Sequence, residues 1–195
     1  IKVNGEFTHD HPFTAEDSPS PTDDYGVSKF LAEKELLKLH EPGVFEIVII
    51  RPCLIYGQNV TANFKSLIKL VSLGLPLPFA LVNNKRSLVS IDNLLDLIYT
   101  CSTHPKAAGE TFLVSDDNDI SLAELIQKVS ESMRKKSILI PIPIMLLKIF
   151  FTVIGKKNMC IRLLGNLQID MSKTKQLLNW TPPFTIEQSL KKMML

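Results

Sequence analysis

The sequence predicts an α/β fold: part of a parallel sheet with its flanking helices, followed by a smaller mixed α/β lobe. Three observations predict it. A capped helix leads directly into a short β-branched run, further short apolar runs alternate with segments of helical period, and the composition is that of an ordinary globular chain. The helix comes first in that argument. Thr22 or Asp23 can cap it, it runs to about His40, and Pro42-Gly43 closes it. Phe45 to Ile50, FEIVII, then reads as a strand buried on both faces and ending at Arg51-Pro52.

The remaining elements follow in order. Ile1 to Thr22 is rich in Pro, Ser, Asp and His and reads as a strand end running into a loop. Asn63 to Leu73 has helical apolar spacing and stops at Gly74. Leu75 to Phe79, LPLPF, is turn-like because its prolines cannot join a central ladder. Arg86 to Ile91 is a second strand, after which Asp92 can cap a helix over Asn93 to Thr103. Thr111 to Ser115 is a third strand, and Ser121 with Glu124 makes a capping box for a helix to about Met133. Pro141 and Pro143 suit the approach to a helix from Ile144 to Ile154. Asp170 or Ser172 can cap another helix ending near Asn179, and Thr185 with Gln188 repeats the capping box before the last one.

Composition narrows the function classes. Hydrophobic residues are 45% of the 195 and charged residues 22%, so disorder is not expected. The 22 basic and 20 acidic residues are interspersed, with only short clusters such as Arg134, Lys135 and Lys136, which argues against a nucleic-acid partner. Cys53, Cys101 and Cys160 are isolated from one another, and neither they nor the four histidines offer metal-ligand spacing. A reducing cytoplasm is the expected compartment. No signal-peptide pattern opens the chain, and Ile1 in place of Met leads us to expect further polypeptide upstream. Ile138 to Ile154, ILIPIPIMLLKIFFTVI, approaches the roughly 20 apolar residues of a spanning helix. Its two prolines and Lys148 favour a buried or interface-facing helix over a membrane span.

Chemistry concentrates at YGVSK, where Tyr25 and Lys29 are four apart and share one helix face with Ala32 and Leu36. A free phenol, with a pKa of about 10, is a poor base at neutral pH, and an ammonium one turn away stabilises its phenolate. This YxxxK at a capped helix start, just ahead of a buried strand, resembles the active-site motif of the short-chain dehydrogenases/reductases. Further segments resemble the extended, nucleotide-sugar epimerase/dehydratase branch of that family. IIRPCLIYG (Ile49 to Gly57) is similar to the strand and turn beside the nicotinamide. TANFKSLIKLVSLGLPLPF and KRSLVSIDNLLDLI are similar to the substrate-lobe helix and to the segment carrying a diphosphate-clamping arginine. LQIDMSKTKQLLNWTPPFTIEQSL resembles the C-terminal pattern in which Trp180-Thr-Pro packs the last helix.

The resemblance implies the C-terminal part of a Rossmann-like, doubly wound parallel sheet over residues 1–57 and a substrate lobe over 58–195, with 88–104 returning to the first lobe. It implies Tyr25 and Lys29 as the catalytic pair, both also at the cofactor with Pro52 and Leu54. Asn63, Arg86, Arg162 and Leu167 would bind substrate. A guanidinium suits diphosphate because it can be gripped in two places at once. Leu167 falls where relatives restricted to plain hexoses carry a bulky aromatic, so room for an N-acetyl group is expected. The cofactor would be NAD, with NADP not excluded, and no metal is expected. The reaction would be 4-epimerisation of a nucleotide sugar, such as a UDP-hexose or UDP-N-acetylhexosamine. A 4-keto-sugar reductase using reduced cofactor, or a non-catalytic truncated remnant, are the alternatives. A homodimer is compatible with this reading. The sequence contains no glycine-rich dinucleotide loop, and Gly5 aligns so that the family's catalytic serine or threonine would fall immediately before Ile1. These 195 residues by themselves are therefore expected to be inactive.

Overall fold

The computed structural model describes residues 1–58 and 63–194. In chain order the elements are α1 (Asp24–Lys38), β1 (Ile49–Pro52), β2 (Leu54–Tyr56), α2 (Asn63–Ser72), β3 (Leu88–Ser90), α3 (Ile91–Thr103), β4 (Thr111–Val114), α4 (Leu122–Ser132), α5 (Ile144–Val153), α6 (Lys157–Leu164), α7 (Ser172–Leu178) and α8 (Ile186–Met193). The strands form two parallel pairs. β1 pairs with β4, Ile49 opposite Thr111 and Pro52 opposite Val114. β2 pairs with β3, Leu54 opposite Leu88 and Tyr56 opposite Ser90. Only Cys53 separates β1 from β2, so the chain passes from one pair to the other in a single residue. The mixed α/β architecture with parallel pairing is the one predicted.

Two cores flank this junction. One gathers Val89, Leu97, Phe112, Val114, Met171 and Trp180. The other gathers Tyr56, Phe64, Leu88, Ile126, Val129 and Leu190. Neighbouring residues of β3 divide between them, Leu88 to one and Val89 to the other, because successive strand side chains point to opposite faces. Both are essentially inaccessible, and each such side chain contributes about 1.5–3 kcal/mol through burial.

Several predicted boundaries shift, each for a local reason. The FEIVII strand begins later, at Ile49, and continues through Arg51-Pro52. Phe45 is instead bridged to Glu41, closing a tight turn that leaves Phe45 and Glu46 exposed. Its burial alternates rather than covering both faces, with Ile49 buried and Ile50 half-buried. The second strand contracts to Leu88–Ser90, Arg86 pairing outside it with Ile120 and Leu167 in isolated bridges. Ser90, not Asp92, caps α3: its hydroxyl accepts the Asn93 N–H, while Asp92 is already helical and pairs with Lys192 at 2.7 Å. The cap of α7 is Met171, without a side-chain bond; Asp170 accepts the Ser172 N–H at 2.6 Å from just outside. The capping boxes on α4 and α8 and the Asp23 cap on α1 are as predicted. Helix α6 had no sequence signal, and its first residue follows Lys156, which makes no capping bond.

Candidate functional site

The site begins at the first turn of α1. Asp23 accepts the Gly26 N–H at 2.7 Å and pairs with Lys2 at 2.6 Å, which pins the helix start against the N-terminal segment. Gly26 permits that approach, since a Cβ there would lie 2.8 Å from the Lys2 carbonyl oxygen. Further along, Glu33 accepts from Arg51 through both carboxylate oxygens, at 2.7–3.1 Å. Arg51 also donates to Asn4 at 3.0 Å. This ion pair, with Arg51 only 8% exposed, fastens α1 to β1 and commits the Arg51 guanidinium to the scaffold.

The outer face of α1 carries Tyr25, Lys29, Ala32 and Leu36, all exposed; the helix packs through Gly26, Phe30 and Glu33 instead. Tyr25 is 61% exposed, and the Lys29 ammonium lies 5.3 Å from its ring centroid, a cation–π contact. The tyrosine of β2 behaves differently. Tyr56 is fully buried and donates to Asp116 at 2.7 Å. Asp116 in turn accepts from the Ser90 N–H and the Asn93 amide, and Asn93 exchanges two bonds with the Phe184 backbone. Burial pushes the Tyr56 phenol up, the adjacent Asp116 adding to the effect, and burial likewise raises the Asp116 carboxyl. Tyr56 is therefore a protonated structural donor, and Tyr25 is the phenol open to a ligand.

A cavity of about 1110 Å³ opens at the carboxyl end of β1, where parallel sheets bind ligands. Tyr25, Lys29, Pro52 and Leu54 line it. So do Arg86, Arg162 and Leu167, drawn from segments far apart in sequence. Side chains of α2 and α4, including Phe64, Leu67, Leu122 and Leu125, complete the wall. Asn63 begins α2, and its side chain lies outside what the structure describes.

Arg86 is held by its backbone, which exchanges two hydrogen bonds with Ile120 at 3.0 and 3.1 Å. Its guanidinium donates to the Gly165 carbonyl at 3.2 Å and forms no ion pair among the described residues. Burial pulls its pKa downward, the sign of a cation poorly compensated where it sits. Arg162 is half exposed and 3.8 Å from Glu6, which also pairs with Lys2. Leu167 is both a buried bridge residue beside Arg86 and part of the cavity wall. Cys53 lines the cavity too, but burial pushes its thiol up, which removes it as a thiolate nucleophile.

Asn84, which sequence reasoning missed, organises the region around Arg86. Its amide donates to the carbonyls of Leu163 and Gly165 at 3.1 and 2.9 Å, and its oxygen accepts the Leu122 N–H at 2.9 Å. One side chain thus ties the end of α6 to the start of α4. Among the described residues no His/Cys/Asp/Glu group could hold a metal ion.

Known proteins share this architecture. A UDP-glucose 4-epimerase of Vibrio cholerae is 50% identical over 193 residues, covering 98% of this chain and 59% of that protein. An N-acetyl-α-D-glucosaminyl-diphospho-ditrans,octacis-undecaprenol 4-epimerase of Escherichia coli O157:H7 is 25% identical over 203 residues, covering 97% and 59%. The chain thus spans about three-fifths of the length of each. The fold matches that of a UDP-glucuronic acid 4-epimerase from Bacillus cereus in complex with NAD, with a TM-score of 0.74 at 19% identity over 99% of this chain and 57% of that one. Residues 2–115, more than half of the chain, match a single family description, and by that match this chain belongs to the NAD dependent epimerase/dehydratase family.

Proposed function

We propose that these 195 residues form the C-terminal portion of an NAD-dependent nucleotide-sugar 4-epimerase, with residues 1–57 and 88–104 on the dinucleotide side of the site and the rest of 58–195 on the sugar side. One observation carries this reading: an exposed tyrosine–lysine pair and a half-buried arginine without a carboxylate partner among the described residues line the same cavity. The identity to the Vibrio cholerae protein supports the same reaction class.

Within it, Tyr25 exchanges a proton with the sugar 4-hydroxyl, and the Lys29 charge beside its ring stabilises negative charge on the phenol oxygen during transfer. Arg86 takes the substrate diphosphate, assisted by Arg162 at the more open side and by Asn63 at the start of α2. Leu167 bounds the space beside the sugar C2 substituent. Lys29 holds the nicotinamide ribose, while Pro52 and Leu54 present an apolar surface to the ring. NAD, when bound, supplies reversible oxidation at C4. The cavity fits that arrangement, although no glycine-rich pyrophosphate loop occurs in the sequence, so the assay requires the full-length protein.

The test is a product assay on that protein with UDP-hexoses and UDP-N-acetylhexosamines, with and without added NADH. The name of the Escherichia coli relative adds a polyprenyl-diphosphate sugar to the panel. Epimerisation without added NADH supports the proposal, and turnover that requires NADH assigns a 4-ketoreductase. Tyr25→Phe is expected to lower turnover by roughly a hundredfold with substrate affinity little changed; near-normal turnover would remove Tyr25 from the mechanism.

A further inference from the structure

Helix α5 does not present the surface expected of a helix on a water-soluble face. Leu147 and Phe151, one turn apart, are its buried residues. Met145, Leu146, Ile149, Phe150 and Val153 are exposed, Met145 at 73% and Val153 at 79%. Lys148 and Thr152 are its only polar side chains. The approach to the helix continues the pattern, with Ile138 and Ile140 exposed and their backbone hydrogen-bonded to Leu77 and Ala80. Apolar area gathered in this way marks an interaction surface.

The charge of the segment that carries it is one-sided. From Ser132 to Ile169 the sequence contains no Asp or Glu, so all 20 acidic residues of a nearly neutral chain lie elsewhere. Arg134, Lys135, Lys136, Lys148, Lys156 and Lys157 are exposed there. A segment that combines an exposed apolar helix face with exposed cations and contributes no anion of its own is complementary to an anionic lipid surface. A second copy of the chain fits poorly, because a symmetric interface would bring the two cation clusters together. No helix among the described residues is long and apolar enough to cross a membrane, so α5 suits a position in the plane of the lipid headgroups.

We propose that α5 and the start of α6 form a docking surface for an anionic bilayer. The surface is coupled to the cavity: Gly155, in the left-handed region, turns the chain from α5 into α6, and α6 contributes Met159, Arg162 and Leu163 to the cavity wall. Docking would hold the sugar-binding side of the protein at the membrane surface. This inference stands apart from the catalytic reading and is tested without turnover.

The experiment is vesicle flotation of the full-length protein with phosphatidylcholine alone and with phosphatidylcholine containing phosphatidylglycerol. Flotation is expected only with phosphatidylglycerol, and is expected to weaken with salt as the screening length contracts. The apolar variant Met145→Ser/Phe150→Ser/Val153→Ser and the charge variant Lys148→Gln/Lys156→Gln/Lys157→Gln should each lose at least ~tenfold in bound fraction. Thermal unfolding of both variants should match the parent protein, since none of these side chains is buried. Failure of the parent protein to float, or flotation unaltered in either variant, overturns the proposal. So does a self-associated parent that fails to float and is dissociated by the apolar variant.

Discussion

Arg86→Met separates a ligand-seeking cation from a structural one. Methionine keeps most of the side-chain volume and removes the charge, while the main-chain bonds to Ile120 are untouched. In the unliganded protein the side chain loses a single bond, to Gly165 at 3.2 Å, worth about 1 kcal/mol. Against that stands the relief of burying a cation that has no carboxylate partner among the described residues. The two effects oppose each other, so the unfolding midpoint of the unliganded protein should change little. Binding behaves in the opposite way. A guanidinium gripping a diphosphate contributes about 3 kcal/mol, so Kd for UDP and for every UDP-sugar should weaken by roughly a hundredfold. Calorimetry with UDP, UDP-glucose and uridine provides the comparison, because uridine lacks the phosphates and should bind the variant as it binds the parent protein. A Tm lowered by several degrees with nucleotide affinity unchanged would show that Arg86 is part of the scaffold and refute the assignment.

Three further outcomes follow from the same structure. Leu167→Tyr should reduce kcat/KM for UDP-N-acetylhexosamines selectively over plain UDP-hexoses, and an unchanged ratio in competition kinetics would take Leu167 off the sugar pocket. Asn84→Ala removes three hydrogen bonds from a residue only 5% exposed, and should cost about 2–4 kcal/mol in denaturant unfolding; a loss near zero would show that the α4–α6 junction is held otherwise. The Cys101 thiol, raised by burial to about 11 from a reference value of 9.0, binds its proton more tightly in the folded state than in the unfolded one. Its contribution is therefore complete below pH 9 and lost as pH rises through 11. Stability should fall over that window, and Cys101→Val should flatten part of the slope in a pH series of thermal melts.

What could be read in advance was local. Tyr25 and Lys29 lie four residues apart, and helix geometry alone makes them neighbours. Ser121 with Glu124 and Thr185 with Gln188 carry both halves of a reciprocal cap within four residues, and both boxes form. Where two local signals competed, sequence could not rank them. Ser90 and Asp92 are both good caps, and pairing of β3 with β2 decided for Ser90 by ending the strand there. The start of β1 was misplaced because Phe45, an apt strand residue, is taken up by Glu41 in a turn. The long-range features left no pattern at all. Asn84 reaches partners at 122, 163 and 165, and Tyr56 finds Asp116 sixty residues away. The face of α1 was ambiguous for another reason: periodicity identified Tyr25, Lys29, Ala32 and Leu36 as one stripe, but the anchoring contacts come from a glycine and a glutamate, residues that carry no apolar signal.

That mode of attachment has a consequence for how the protein can change. The position of Tyr25 is fixed by the Lys2–Asp23 and Arg51–Glu33 pairs and by close contact at Gly26, not by sinking a hydrophobic stripe into a core. The outward positions of α1, Val27, Leu31 and Leu37 among them, are exposed within these residues and take no part in fastening the helix to β1. Polar substitutions there leave all three of those anchors in place. The helix that carries Tyr25 and Lys29 is thus held by ion pairs and a close backbone approach, which leaves its exposed apolar positions available to whatever packs on them in the full-length protein.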